Sequence, residues 1–297
     1  MASATQLQSG DRGSVLVTGV SSGIGHAIAL GLIDAGYTVF GSVRRIADAQ
    51  PLSDHAGGHF IPLLFDVTDP AGIANAVTEV ERQVGAAGLT ALVNNAGISI
   101  SGPFQHQPAD QFRQIMEVNF LGLVAVTRAF LPLLGATDAP RDKPGRIVNI
   151  GSVQGIMSVP FMTAYAASKH AIEGFAQGLR RELIPLGISV STIEPNFTKS
   201  EIFAKAGVDS SLNRYEGTIY EQAFARFNAG LAAAEAQAKP AETVVRKVLH
   251  AIEAQRPRTR YPLDPIWHLG RFLPDRLFDR LILKALGINR FWRAPQR

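Results

Sequence analysis

The chain has 297 residues, a formal net charge of +4 at pH 7 and no cysteine. Its length and its 46% hydrophobic content suit one large α/β domain with a substantial core and exclude a disordered chain. Without cysteine there are no disulfides, thiolate metal sites or Cys nucleophiles, which fits a reducing, cytoplasmic setting.

In chain order, residues 1–13 lack the positive start and apolar stretch of a signal peptide and are expected to form a disordered leader. From residue 14 to 297 the pattern reads as one domain, with strand-like and helix-like segments alternating. That alternation predicts a Rossmann-type, doubly wound parallel sheet of about seven strands with helices on both faces. The first strand is Val15–Val17, followed by a Gly-rich turn and a helix ending near Gly36. Tyr37–Val43, His59–Phe65, Leu89–Asn94, Arg146–Ile150 and Ile188–Ile193 read as strands two to six, and Thr259–Tyr261 as the last, after a helix over Ala241–Ala254. Residues 196–238, with their aromatic side chains, read as a helical lid over a ligand site. Residues 256–297 form a C-terminal extension in which Trp267, Phe272, Leu277, Phe278 and Leu281 lie between Arg residues as an amphipathic helix. That extension carries ten Lys or Arg against three Asp. Its leading reading is a solvated basic face around a core-packing helix, and a weak peripheral contact with an anionic membrane is the alternative. The most apolar stretch, Phe120–Leu134, contains Arg128 and Pro132, so no membrane-spanning helix is expected. No nucleic-acid motif is present.

The chemistry concentrates in two places. Tyr165 and Lys169 stand four apart in a helical segment, so they share a face. A phenol ordinarily titrates at about pH 10, and a neighbouring ammonium is expected to pull it toward the range where acid–base catalysis works. Ser152, at the end of the fifth strand, would bring a hydroxyl to the carboxyl edge of the sheet, where open α/β folds bind ligands. The second place is the turn Thr18–Gly25. Gly19, Gly23 and Gly25 let the backbone approach a pyrophosphate, while Ser21, Ser22 and Ile24 lead into a helix amino terminus. The second strand ends in Ser42-Val43-Arg44-Arg45, without the carboxylate that holds an unphosphorylated ribose. Arg44 and Arg45 therefore predict NADP(H) over NAD(H).

These residues resemble the short-chain dehydrogenase/reductase family in its single-domain branch. The motifs occur in order: the Gly-rich turn, Asp66-Val67, Asn94-Asn95-Ala96-Gly97, Asn119, Ser152, and Tyr165 with Lys169. The resemblance implies that Asp66 and Val67 border the adenine and that Asn95, Ala96 and Gly97 line the cofactor. It also implies that Asn119 fixes a helix kink and a water, that Ser152 orients the substrate oxygen and that Tyr165 exchanges its proton. Lys169 would bind the nicotinamide ribose, and Thr198 would touch the nicotinamide amide beside Pro195. The family usually has Pro-Gly where this chain has Pro195-Asn196, which puts the local loop in doubt. Val153, Met157 and Phe161 are pocket candidates. The tail and the second-strand segment are similar to hydroxysteroid and retinol dehydrogenases, implying a bulky apolar alcohol or ketone, with a general carbonyl reductase as the enzymatic alternative. A homodimer or homotetramer is expected. A non-enzymatic NADPH-sensing regulator is the remaining reading, set against the presence of all four catalytic candidates.

His55 and His59 flank Ala56-Gly57-Gly58 with no third ligand nearby, so no metal site is expected. His170 lies on a different helix face from Tyr165 and is expected to be structural. The sequon Asn196-Phe197-Thr198 is expected to be coincidental.

Overall fold

The computed structural model describes residues 12–138, 141–199 and 215–285. The expected leader lies largely outside those residues, as do the middle of the lid and the end of the extension. Seven parallel strands are present: β1 (Ser14–Val17), β2 (Thr38–Val43), β3 (Phe60–Leu64), β4 (Ala91–Asn94), β5 (Arg146–Ile150), β6 (Ser189–Glu194) and β7 (Arg260–Pro262). Their order across the sheet is β3-β2-β1-β4-β5-β6-β7. The chain winds outward from β1 in one direction and then restarts at β4 in the other. The carboxyl ends of β1 and β4 therefore flank the switch point where doubly wound sheets leave a crevice.

The central strands are buried on both faces, which is why they read as unbroken apolar runs. Side-chain alternation sorts them into two cores. Val15, Val17, Val39, Val93 and Val148 face α1 (Gly23–Asp34) and the helix Glu242–Glu253. Leu16, Phe40, Leu92, Ile147 and Val190 face the opposite layer. That layer includes α3 (Pro70–Val84), after the short α2 (Gln50–His55), together with α5 (Gly122–Phe130) and α6 (Thr163–Leu183). Each fully buried Leu, Ile or Phe contributes about 1.5–3 kcal/mol.

A third, smaller cluster lies outside the sheet. Phe161, Met162 and Tyr165 pack against Tyr215, Phe224, Phe227 and Leu231, the last three on α7 (Glu221–Ala236). The described part of residues 215–238 is thus helical and aromatic; Phe203 lies outside the described residues.

Two departures have local causes. Between α4 (Ala109–Met116) and α5, residues Glu117–Leu121 form one turn of π-helix, with Asn119 buried in the middle. Such bulges insert an extra residue and redirect a side chain. Among the described residues, the extension after α8 (Glu242–Glu253) has two helices, α9 (Ile266–Phe272) and α10 (Asp275–Ala285), rather than one. Pro274 lacks an amide hydrogen and its ring cannot follow a helical turn, so the first helix stops before it. Among the described residues no helix is long and apolar enough to cross a membrane.

Candidate active site

A cleft of about 800 Å³ opens along the carboxyl ends of the strands. One wall is the β1–α1 turn. Gly19 and Gly23 have φ of +70° and +58°, conformations that L side chains avoid. A methyl group at Gly25 would overlap the Gly19 carbonyl and the Asn95 side-chain nitrogen. Thr18 ties this turn to the β4 loop, its Oγ1 accepting from the Asn95 and Ala96 amides at 2.9 and 3.0 Å. Asn95 Nδ2 in turn donates to the Thr18 and Gly19 carbonyls at 2.9 and 3.0 Å. The turn is thus braced by side chains, leaving the first amides of α1 facing the cleft as an anion cradle.

At the end of β2, the Ser42 hydroxyl accepts from the Gly19 amide at 2.9 Å. Arg44 lines the cleft and pairs with no carboxylate among the described residues. Arg45 turns away: its guanidinium holds Asp48 at 2.7 Å and is absent from the cleft wall. Consecutive residues on extended backbone point to opposite sides, so only the first of the two arginines is available to a ligand.

The other wall brings Ser152, Tyr165 and Lys169 together. Ser152 follows β5, its Oγ accepting from the Gln154 amide at 3.1 Å, and it lines the same wall as Tyr165. Lys169 is one turn beyond Tyr165 on α6, with Nζ 5.6 Å from the phenol ring centre and donating to the Ile150 carbonyl at 2.9 Å. Asn119 is adjacent. Its Oδ1 accepts from the Ile98 amide at 2.8 Å, and its Nδ2 donates to the Ile98 carbonyl at 2.9 Å and to Ser168 Oγ at 3.0 Å. The π-turn is what aims that amide sideways, pinning the β4 loop to α6.

Burial dominates the electrostatics. It pushes the Tyr165 phenol up to about 12, against the lowering effect of the Ser152 hydroxyl. It pushes Lys169 down to about 8, against the raising effect of the Glu173 charge. The expectation that Lys169 would draw Tyr165 toward neutrality is therefore not met in the ligand-free chain. Desolvation penalises both charged forms.

The family's sequence model for short chain dehydrogenases matches residues 14–210. The chain is 39% identical over 275 residues to an NADPH-dependent 3-dehydrocapnine reductase of Ornithobacterium rhinotracheale, covering 91% of this chain and 96% of that protein. It is 31% identical over 285 residues to mouse retinol dehydrogenase 5, covering 90% and 87%. This chain belongs to the short-chain dehydrogenase family. A short-chain dehydrogenase structure from Streptomyces avermitilis superposes with a TM-score of 0.72 at 25% identity, over 96% of this chain and all of that one.

Within this short-chain dehydrogenase, Gly19, Ser21, Ser22, Gly23, Ile24, Gly25, Arg44, Asp66, Val67, Asn95, Ala96, Gly97, Pro195 and Thr198 all line the cleft, with Ser152, Val153, Tyr165 and Lys169. Asn196 lines it too. Met157 and Phe161 do not: Met157 packs beneath Gly270 of α9, and Phe161 belongs to the lid cluster. His55 pairs with Asp34 and His170 bonds the Ala166 carbonyl, as structural residues would. No group of three metal-ligating side chains exists among the described residues. Ser42, Gln114, Glu117 and Gln154 also line the cleft, and nothing in their spacing announces them.

Proposed function

We propose that this chain is an NADP(H)-dependent oxidoreductase that interconverts a secondary alcohol and a ketone, with a bulky apolar substrate of the hydroxysteroid or retinol kind. The observation that carries the reading is a single cleft lined both by the Ser152 and Tyr165 side chains and by a glycine turn at a helix amino terminus. The cradle suits a dinucleotide: its glycine turn leaves no room for a side chain, and its rim offers Arg44 without a competing carboxylate. The similarity to a reductase named for NADPH supports the phosphorylated form.

When bound, the nicotinamide supplies or accepts the hydride. Ser152 and Tyr165 present two O–H donors to one substrate oxygen, stabilising charge that develops there, as an oxyanion hole does. In reduction Tyr165 gives up its proton, and its elevated pKa keeps that proton in place at neutral pH. In oxidation the phenol must accept the alcohol proton, and a protonated Lys169 makes its ionised form less costly. Asn119 holds the β4 loop against α6 and so fixes the distance between the two walls. Beside the cleft, on the far side of Tyr165, lies an aromatic cluster in which Phe161 packs edge-on against Phe224 and Phe227 at 5.4 Å each. That apolar lid, and the similarity to a retinol dehydrogenase, favour a large hydrophobic substrate.

The test is NADPH consumption over a panel of steroids, retinoids and small ketones, with the Tyr165→Phe variant as control. Brisk turnover of small ketones alone would move the substrate class to general carbonyls. Tight NADPH binding without turnover of any carbonyl would sink the enzymatic reading.

A further inference from the structure

Behind the catalytic candidates lies a buried cluster of charges drawn from three elements. Glu173, one turn beyond Lys169 on α6, meets Arg260 of β7 at 2.6 Å, and Arg260 also meets Glu194 of β6 at 2.8 Å. The two glutamate side chains are 6% and 0% exposed, and that of Arg260 is 19% exposed. Arg260 therefore departs from the solvated basic face expected of the extension. It also lies beyond the residues that the family model matches. One guanidinium thus holds both carboxyls, its two terminal nitrogens reaching one each. Yet Glu173 Oε1 and Glu194 Oε2 have no partner at hydrogen-bonding distance among the described residues, and the Trp267 indole nitrogen beside Glu194 is likewise without one. A proton held by this pair would turn one buried carboxyl oxygen from an acceptor into a donor, and buried polar groups are rarely left without a partner.

We infer that Glu173 and Glu194 share a single proton beneath the Arg260 clamp, and that the negative charge they retain makes Glu173 a positioning residue for the Lys169 ammonium. Three elements would then set the charge state of a lysine in the active cleft, and the outermost of them, β7, belongs to the C-terminal extension. The groups facing the cluster are few. Lys169 approaches from α6, Arg260 from β7, and the indole of Trp267 from α9, while Gly151 and Gly155 bring uncharged backbone against Glu173. Burial raises both carboxyls, Glu173 to about 8, each further affected by the other and opposed by Arg260. Burial lowers Lys169 to about 8 and Glu173 counters it, so lysine and carboxyl pair exchange protons over the same pH range. The lysine and this pair behave as one titrating unit.

The role of Lys169 rests on the function proposed above, but the test does not require turnover. In the full chain carrying lysine labelled with ¹³C at Cε, the Lys169 signal is assigned by its loss in Lys169→Met and followed by NMR against pH. Glu173→Gln should move the Lys169 titration to lower pH by roughly one unit or more, since an adjacent opposite charge is lost. Glu194→Gln should move it the other way, because the whole negative charge then resides on Glu173. Glu173→Asp should restore much of the parent titration. A Lys169 titration unmoved by Glu173→Gln would reduce the cluster to packing and overturn the inference. Should Glu173→Gln fail to fold, Glu194→Gln decides alone, and an absent or downward shift there overturns it equally.

Discussion

Replacing Arg44 with Ser removes a guanidinium from the rim of the cleft while leaving the fold alone, because Arg44 is exposed and holds no carboxylate among the described residues. Its effect should therefore be confined to the dinucleotide. A charge-assisted hydrogen bond contributes about 1.5–3 kcal/mol, which converts to roughly 10- to 150-fold in affinity. Arg44 lies in solvent, where screening weakens such pairs, so the lower end, roughly tenfold, is expected at physiological salt. Titrating the parent chain and Arg44→Ser with NADPH and with NADH, by cofactor fluorescence at two ionic strengths, isolates the term. NADPH affinity should fall and NADH affinity should hold, with a larger gap at low salt. Arg44→Asp should go further and favour NADH, since a carboxylate repels a 2′-phosphate and accepts from ribose hydroxyls. An unchanged ratio of the two affinities in Arg44→Ser would refute the assignment.

Tyr165→Phe should lose roughly 10²- to 10⁴-fold in turnover while keeping NADPH affinity, measured by steady-state rates beside fluorescence titration. Gly25→Ala should lose dinucleotide binding by more than about tenfold with only a modest fall in Tm, because the added methyl meets the Gly19 carbonyl across the turn rather than the core. Glu173→Gln should change the pH dependence of stability. The folded pKa of Glu173, about 8, lies above its ordinary value of 4.5, so its contribution is fully present below 4.5 and is lost as pH rises toward 8. The neutral variant matches the parent in acid, and a Tm difference in the variant's favour should open between those limits. A gap that stayed constant across that range would contradict it.

Much of the fold was legible because its physics is local. Arg146–Ile150 matches its observed strand at both ends, and the other strands differ by one or two residues. Tyr37, His59 and Leu89 precede their strands with apolar or β-prone character, yet ladder pairing starts after them. The cofactor wall was legible too, because its glycines and the missing carboxylate are statements about sequence. What spacing could not convey was burial: Tyr165 and Lys169 sit on one face as expected, but their enclosure reverses the expected direction of the phenol's shift. Arg45 was misjudged because adjacent residues were treated as equivalent when extended backbone sends them apart. Met157 and Phe161 follow the right strand but turn toward the extension and the lid. The Glu173, Glu194 and Arg260 cluster was hidden altogether, since its members come from α6, β6 and β7 and meet only in the folded sheet.

Phe161 is the one described residue other than glycine with a left-handed backbone, at φ +69°. That conformation costs an aromatic residue on the order of 1–3 kcal/mol, and it persists because the ring is gripped by α7 while the Phe161 carbonyl accepts from the Gly102 amide at 2.8 Å. Tyr165 stands four positions downstream. The turn that leads into α6 thus stores backbone strain that its aromatic packing holds in place, one helical turn before the phenol.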